Sequence, residues 1–379
     1  MAEPIVLFPY DPAWPGRYEA ERSRIVASLG ELLEGGVLDG IEHIGSTSIP
    51  GMRAKPCLDL MARVHPFLLE EERIRALRAL GYDYRGENGL PGRDYFTRGP
   101  HEVHLHVFGF ETEHWTRHLL FRDYLRAEAG AARRYEALKL ELAERFRDDR
   151  AAYTDGKAEL VRGLEGEAYG WHVRATGFAP VERAAEELAG VGVPWMVSSG
   201  WALELFLGAP SRPHDDLDLA VFRDDQLAVQ RHLSERGWRL DRVVEGRYAP
   251  WRAGEALGLE VTQVHARRDG VFMDLLLSPR RGDDWLYRRD EGISLPLSRA
   301  RMSARGLPYL APEAALLFKS RSSQQGRALP TPRAKDERDF ARVLPQLEPE
   351  RRRWLASALR RTNPAHPWLE PLGGGSQPG

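Results

Sequence analysis

Hydrophobic and polar positions recur with two different periods along this chain. From Trp115 to Arg162, apolar residues fall three and four apart, at Leu125, Ala132, Tyr135, Leu138, Leu142 and Phe146, the spacing of one buried helical stripe. Shorter apolar runs bounded by turn-forming residues read as strands: Cys57-Leu58-Asp59-Leu60-Met61, Trp195-Met196-Val197, His214 to Val221 entering at an edge, Leu259 to Arg268, and Val271 to Leu277. The last two flank Asp269-Gly270, a two-residue hairpin signal that sets His265 opposite Asp274. Around residue 104 the alternation puts Glu102, His104 and His106 on one face and Val103, Leu105 and Val107 on the other. Helices are predicted from Val181 to Ala189 and from Trp201 to Leu207.

The pattern breaks between Gly170 and Pro180, which divides the chain into residues 1–168, a linker at 169–178, residues 179–370, and a tail at 371–379 that has nothing to bury and is expected to be disordered. Both units follow one order of elements: strand, small-residue turn, connection, acid-bearing strand. The expected fold class is mixed α+β, two related domains in tandem, each a mixed β-sheet flanked by helices. Ser320 to Arg338 is expected to be a mobile loop between two helices whose Arg321, Arg327, Arg333 and Lys335 could close over a nucleotide, a solvated loop being an equal account.

Composition narrows the function classes. A chain of 379 residues that is 42% hydrophobic can build two cores. Lys+Arg 54 against Asp+Glu 56 leaves a formal net charge of -2, so no global attraction to nucleic acid or membrane exists, and nucleic acid is a disfavoured partner. One cysteine, Cys57, excludes an intramolecular disulfide framework, and no apolar run approaches the roughly 20 residues that span a bilayer. Ile5-Val6-Leu7-Phe8 is too short for a signal-peptide core and lacks a basic flank, so a cytoplasmic location is expected. Arginine and alanine outweigh lysine and isoleucine, in keeping with a GC-rich bacterial source.

Candidate chemistry concentrates in the second unit. Asp216 and Asp218, separated by Leu217, emerge from one face of a strand, and Asp274 interrupts an otherwise apolar run. An Asp-apolar-Asp triplet alone is common at strand ends. Its company changes the reading: Ser198-Ser199-Gly200 form an upstream small-residue turn, and an ionised Asp274 is costly in so apolar a strand unless paired or metal-bound. Magnesium takes hard oxygen ligands, and nucleotidyl transfer must neutralise a polyanion, so the set reads as a two-metal site for Mg2+ and ATP or another nucleoside triphosphate.

The segments Pro194 to Leu203 and Pro213 to Val221 resemble the aminoglycoside 2''-adenylyltransferase-like branch of the antibiotic nucleotidyltransferases. The likeness continues through Trp285 to Asp290, Leu307 to Glu313, Leu316 to Lys319 and Lys335 to Phe340. It implies that Asp216 and Asp218 hold metal ions, that Asp274 completes the site or accepts the substrate's hydroxyl proton, that Ser198, Ser199 and Gly200 meet nucleotide phosphates, and that Lys319 suits the triphosphate. Lys319 reads equally as the solvated flank of a buried helix, and His265 as a strand-surface histidine rather than a tuner of Asp274. The family usually carries two glycines before the tryptophan. Here the first is Ser199, which would be strained if that position requires positive φ.

Residues 4 to 167 resemble the GrpB-like family, uncharacterised proteins assigned to the nucleotidyltransferase fold, through His43 to Met52, Ala54 to Leu60, His104 to Val107 and His118 to Arg126. Two residues beyond Asp59 stands Met61, so a second carboxylate is missing. If the strand of His104 and His106 neighbours Asp59, an Asp-His-His cluster beside Gly45-Ser46 results, which suits a divalent transition metal better than Mg2+, or a phosphate through protonated histidine, or a merely hydrogen-bonded polar face. Lys55, Arg122 and Lys139 could contact an anion, and Cys57 reads as a small buried hydrophobe. The resemblances together imply two nucleotidyltransferase folds, the second transferring a nucleoside monophosphate to a hydroxyl of a small molecule such as an aminoglycoside or lincosamide antibiotic, a role in antibiotic resistance. A non-catalytic nucleotide sensor, or a transferase acting on protein or tRNA, remains as an alternative; oligomeric state is not legible.

Overall fold

The computed structural model describes residues 4–30, 37–65, 71–100, 102–109, 113–244, 247–268, 271–320, 323–324, 327–328 and 332–373. The chain divides into two compact units, Met1–Ala175 and Thr176–Gly379. Both are mixed α+β, with sheets flanked by helices. Among the described residues no helix is long and apolar enough to cross a membrane.

In the first unit, β1 (Val37–Ile44), β2 (Leu58–His65), β3 (Tyr82–Tyr84), β4 (Arg93–Arg98) and β5 (Val103–Phe108) form one sheet in the order β1-β2-β5-β4-β3. Alternation sorts the two faces of β2. Leu58, Leu60, Ala62 and Val64 join Ile25 and Leu29 of α1 (Trp14–Gly30) and Leu77 of α2 (Glu71–Ala79) in one core, while Met61 packs on the other face with Ile44, Phe108 and Trp115. The helical stretch predicted from Trp115 to Arg162 is four helices: α3 (Glu113–Ala127), α4 (Ala129–Arg145), α5 (Arg150–Asp155) and α6 (Ala158–Thr176). Its apolar stripe is correspondingly shared, Leu125, Ala132 and Tyr135 going to a cluster with Leu164, and Leu138, Leu142 and Phe146 to one with Ile5 and Tyr153. The expected linker at 169–178 is largely helical, because α6 runs through Gly170 and stops only where Gly177 adopts φ +51. The division at 175/176 nevertheless lies inside it.

The second unit opens with α7 (Ala179–Glu187) and β6 (Trp195–Val197), then α8 (Ser199–Leu207), β7 (Asp218–Phe222), α9 (Gln226–Glu235), β8 (Arg239–Val244), β9 (Arg247–Pro250), β10 (Gln263–Arg268) and β11 (Val271–Ser278). An eight-stranded sheet runs from Arg301–Ala304 and Leu307–Leu310 through β6-β7-β11-β10-β8 to β9. The acid-bearing strand, expected from His214 at an edge, begins only at Asp218 and lies inside, between β6 and β11. Its run Leu219 to Phe222 is buried throughout, as a strand covered on both faces must be. The Asp269-Gly270 turn lies outside the described residues, yet β10 and β11 pair in the register it predicts, His265 opposite Asp274. Of the loop expected at 320–338, residues from Ala334 onward are helical (Ala334–Val343), since Asp336, Asp339, Phe340 and Val343 form a buried stripe. Arg321, the side chain of Arg327 and residues 374–379 of the tail lie outside the described residues.

The two units share one topology. With the edge strand β9 of the second unit left out of the numbering, the first strand in each pairs antiparallel with the second, the second parallel with the fifth, and the fifth antiparallel with the fourth, which pairs antiparallel with the third, as in β1-β2-β5-β4-β3 and β6-β7-β11-β10-β8. The expected tandem of related folds therefore holds at the level of strand order and direction.

Candidate functional site

In the second unit, β7 and β11 run parallel with Asp218 and Asp274 as direct partners. Two backbone bonds fix this strand end: Ser198 N–H donates to Asp218 O at 2.8 Å and Asp274 N–H to Leu217 O at 2.9 Å. Asp216 sits just ahead of β7 with its side chain exposed, while Asp274 is buried. Burial and the neighbouring Asp216 push Asp218 up to about 7, and burial with Asp218 and Asp216 raises Asp274 well above the carboxylate range. The three acids thus share one electrostatic neighbourhood. Among the described residues they are not a set whose ligand atoms all lie within 4.8 Å of one another.

Asp274 Oδ2 accepts a hydrogen bond from Gln263 Nε2, whereas Oδ1 is buried and has no hydrogen-bond partner among the described residues. His265 Nε2 lies 3.9 Å from Oδ1. Burial and Arg267 push that histidine down to about 3, so it is neutral near pH 7 and cannot supply a charge to tune Asp274. Arg288, which donates to Thr262 O at 3.0 Å, sits in the field of Asp274 and Asp218, and Lys319 and Lys335 also act on Asp218.

The small-residue turn is positioned against the same acids. Ser199 adopts φ +49, the left-handed region the glycine-for-serine difference would tolerate more readily, and hydrogen-bonds to Asp218. It opens α8, whose first backbone N–H groups face outward from that end and favour an anion. Gly200 is required by packing: a Cβ there would meet His214 Cε1 at 2.5 Å. The His214 ring stacks on Trp201 with centroids 4.4 Å apart, and Nε2 lies 3.4 Å from the buried Glu204. Glu204 also takes Ser211 Oγ at 2.7 Å and Arg342 at 3.3 Å, which pins the segment leading into Asp216.

Lys319 does not extend freely toward the site. Its Nζ lies 2.9 Å from Asp336 and 2.9 Å from Asp339, while Arg333 binds Asp336 at 2.7 Å and Arg212 binds Asp339 at 3.1 Å. Burial opposes ionisation of Asp336, but Lys319 and Arg333 outweigh it and hold the acid at about 2. The charge of Lys319 still reaches Asp218 and favours its ionised form. Glu204, Arg212, His214, Gln263, Arg288, Asp336 and Asp339 were not singled out by sequence. Gln263 shares the parity of His265 on β10, a signal that could have found it; the others depend on long-range folding.

The first unit places Asp59 opposite His104, the pair that corresponds to Asp218 opposite Asp274. Both registers and the left-handed turns Gly45 (φ +69) and Ser199 agree on this equivalence. It corrects the reading of Met61 as the missing acid: Met61 corresponds to core Ala220, and the residue standing in the place of Asp216 is Cys57. Cys57, Asp59 and His104 offer ligand atoms all within 4.8 Å of one another, the one such set among the described residues. His104 Nδ1 lies 2.9 Å from Asp59 Oδ1. Burial works to raise Asp59, but the bond to His104, with the nearby histidines and Lys55, lowers it overall. Such a thiol, carboxylate and imidazole set suits a transition ion over Mg2+.

His106, expected beside Asp59, stands outside the close set. Its Nδ1 is 3.2 Å from Arg93 Nη1, its ring packs on Tyr95, and burial pushes it down to about 3. Gly45 is needed because a Cβ would approach Asp59 Cβ to 2.9 Å. Ser46 begins the tight turn that follows and shares a hydrogen bond with Tyr135. Arg122 is committed to Glu42 at 2.6 Å and Asp123 at 2.7 Å.

Residues 4–167 match the family model described as GrpB protein, and residues 181–293 that of aminoglycoside-2''-adenylyltransferase. The UPF0157 protein YqkA of Bacillus subtilis is 37% identical over 164 residues, 43% of this chain and 46% of that protein, so the chain spans about half of that relative. A UPF0157 protein of Streptomyces coelicolor is 35% identical over 164 residues, 43% of this chain and 84% of that protein. The solution structure of the antibiotic-resistance factor ANT(2'')-Ia aligns at 17% identity over 50% of this chain and 91% of that chain, with a TM-score of 0.33, a likeness too weak to argue from.

Proposed function

The chain belongs to the GrpB family through residues 4–167, and because an aminoglycoside-2''-adenylyltransferase-like segment follows it, we propose that the second unit is a Mg2+-dependent nucleotidyltransferase. It moves a nucleoside monophosphate, AMP from ATP, onto a hydroxyl of a small molecule and releases pyrophosphate. The observation that carries this reading is the opposition of Asp218 and Asp274 across β7 and β11, with Asp216 ahead of them and Asp274 Oδ1 buried without a partner. Folding brings like charges together at a cost that a cation would offset.

The donors fit the ion: the three carboxylates are hard oxygen ligands, with the His265 imidazole beside Asp274 at 3.9 Å. A bound divalent cation would neutralise charge at the α-phosphate and stabilise the attacking and leaving oxygens. The chain's own residues do the rest. Asp216 and Asp218 hold the ion; Ser198, Ser199 and Gly200, at the start of α8, orient the phosphates. Asp274 accepts the proton of the acceptor hydroxyl, whose oxygen then bonds to the α-phosphorus as the bond to the pyrophosphate oxygen breaks. A carboxylate raised by burial, and further by its neighbours, is a better base than an ordinary one. Lys319, held by Asp336 and Asp339, biases Asp218 toward its ionised form rather than meeting the triphosphate itself.

The family matched by the second unit suggests an aminoglycoside as the acceptor, and the reading sets the protein in the cytoplasm, where ATP and Mg2+ are available. Pyrophosphate release from MgATP, screened over cationic aminoglycosides and neutral lincosamides, tests it. Release with an aminoglycoside, abolished by chelation, is expected. Calorimetric binding of ATP with no release for any acceptor would instead mark a nucleotide sensor.

A further inference from the structure

Three lysines of the first unit lie over two tyrosine rings, with Asp59 and Glu136 acting on them only through their field. Lys55 Nζ and Lys157 Nζ lie 5.2 Å and 4.3 Å from the centre of the Tyr153 ring, and Lys139 Nζ lies 5.2 Å from that of Tyr135. Lys139 is 2% exposed and donates to Arg53 O; Lys55 and Lys157 are half-buried. Among the described residues none of the three forms an ion pair with a carboxylate. Cation-π contacts offset only part of the cost of withdrawing ammonium groups from water.

The three groups also feel one another. Burial, followed by the charge of Lys55, lowers Lys157 to about 8 against the opposing pull of Asp59, with Arg150 adding to the lowering; burial lowers Lys139 to about 7 against the pull of Glu136, with Lys157 and Lys55 adding to the effect. Ordinary surface lysines would turn apart or find acids. Here α4 carries Lys139, the turn between α5 and α6 carries Lys157, and the segment leading into β2 carries Lys55, near the strand end where Asp59 and the Gly45-Ser46 turn lie, the place that in the second unit carries Asp216 and Asp218.

We propose that Lys55, Lys139 and Lys157 form a binding site for a phosphate chain of the pyrophosphate or triphosphate class in the first unit. A linear polyanion carries several oxygens at the spacing needed to meet more than one ammonium group, and its charge removes the repulsion among them. Tyr153 walls the site, and Lys139, fixed on Arg53 O, forms its floor. This site is independent of the chemistry proposed for the second unit.

The test uses the full chain, labelled briefly with an amine-acylating reagent and read residue by residue by mass spectrometry, with inorganic tripolyphosphate as the probe. Saturating tripolyphosphate is expected to slow labelling of Lys55 and Lys157 by roughly tenfold, while chloride at equal ionic strength leaves both rates unchanged. Equal protection by ATP would make a nucleotide's phosphate tail the ligand, and protection by tripolyphosphate alone an inorganic chain. Lys157→Gln, at a half-buried position, should weaken calorimetric binding of tripolyphosphate about tenfold with the circular dichroism spectrum retained. The same protection should persist in Asp218→Ala, which separates this site from the other. Unchanged labelling, protection reproduced by chloride, or undiminished affinity in Lys157→Gln would overturn the proposal.

Discussion

Ser199 bears a conformation its side chain resists. At φ +49 a Cβ costs on the order of 1 kcal/mol relative to glycine, and the hydroxyl recovers part of this by bonding to Asp218. Ser199→Ala keeps the cost and loses the bond. It should therefore be less stable than Ser199→Gly by about 1 kcal/mol in urea denaturation, a ranking opposite to that of an ordinary helix position. Asp274 is strained electrostatically instead. Because its pKa and that of Asp218 are raised in the folded state, the folded protein retains protons that the unfolded chain gives up above about pH 4. That contribution to stability is complete below the unfolded values and is lost as pH rises to about 7. Asp274→Asn should then raise the melting temperature at pH 8 without added metal, have little effect at pH 4, and remove transfer activity. A variant less stable than the parent at pH 8 would contradict the raised pKa. Lys319 behaves oppositely: Lys319→Met leaves Asp336 and Asp339 with one arginine each and should cost about 2–3 kcal/mol, so lost activity there would report lost stability rather than chemistry.

At the scale of elements, register decides what each acid faces. The alternation of Val271 to Leu277 and the Asp269-Gly270 turn made the local hairpin legible, and with it His265 opposite Asp274. The parallel pairing of β7 with β11 and of β2 with β5 was not legible, because its partners are far apart in sequence and no turn residue encodes it. That pairing is what sets Asp59 against His104 and puts Cys57, not Met61, at the place of the absent acid. Boundaries failed for a related reason. His214 to Leu217 have strand-like composition, but the side chain of His214 is taken by Trp201 and Glu204, so the strand starts later. The Gly45 turn ties β1 to β2 through close approach to Asp59. Gly45→Ala should destabilise the first unit by about 2 kcal/mol or more, read by denaturation with Trp115 fluorescence, whereas Gly51→Ala, with open space around it, should lose only the cost of its positive φ, about 1 kcal/mol.

At the scale of the molecule, one topology occurs twice with different donor sets, three carboxylates in the second unit and a thiol, a carboxylate and an imidazole in the first. The near balance of charge, -2 overall, hides a local contrast between an acidic strand end in one unit and a lysine-lined one in the other. Transfer is proposed for the acidic one. Its most direct measurement is the transfer of label from α-labelled MgATP to an aminoglycoside acceptor by the full chain, compared with Asp216→Ala, Asp218→Ala and Asp274→Ala. The account predicts labelled acceptor from the parent and a loss of about a hundredfold or more in each variant, with folding retained. Labelled acceptor formed at the parent rate by any of the three would contradict it.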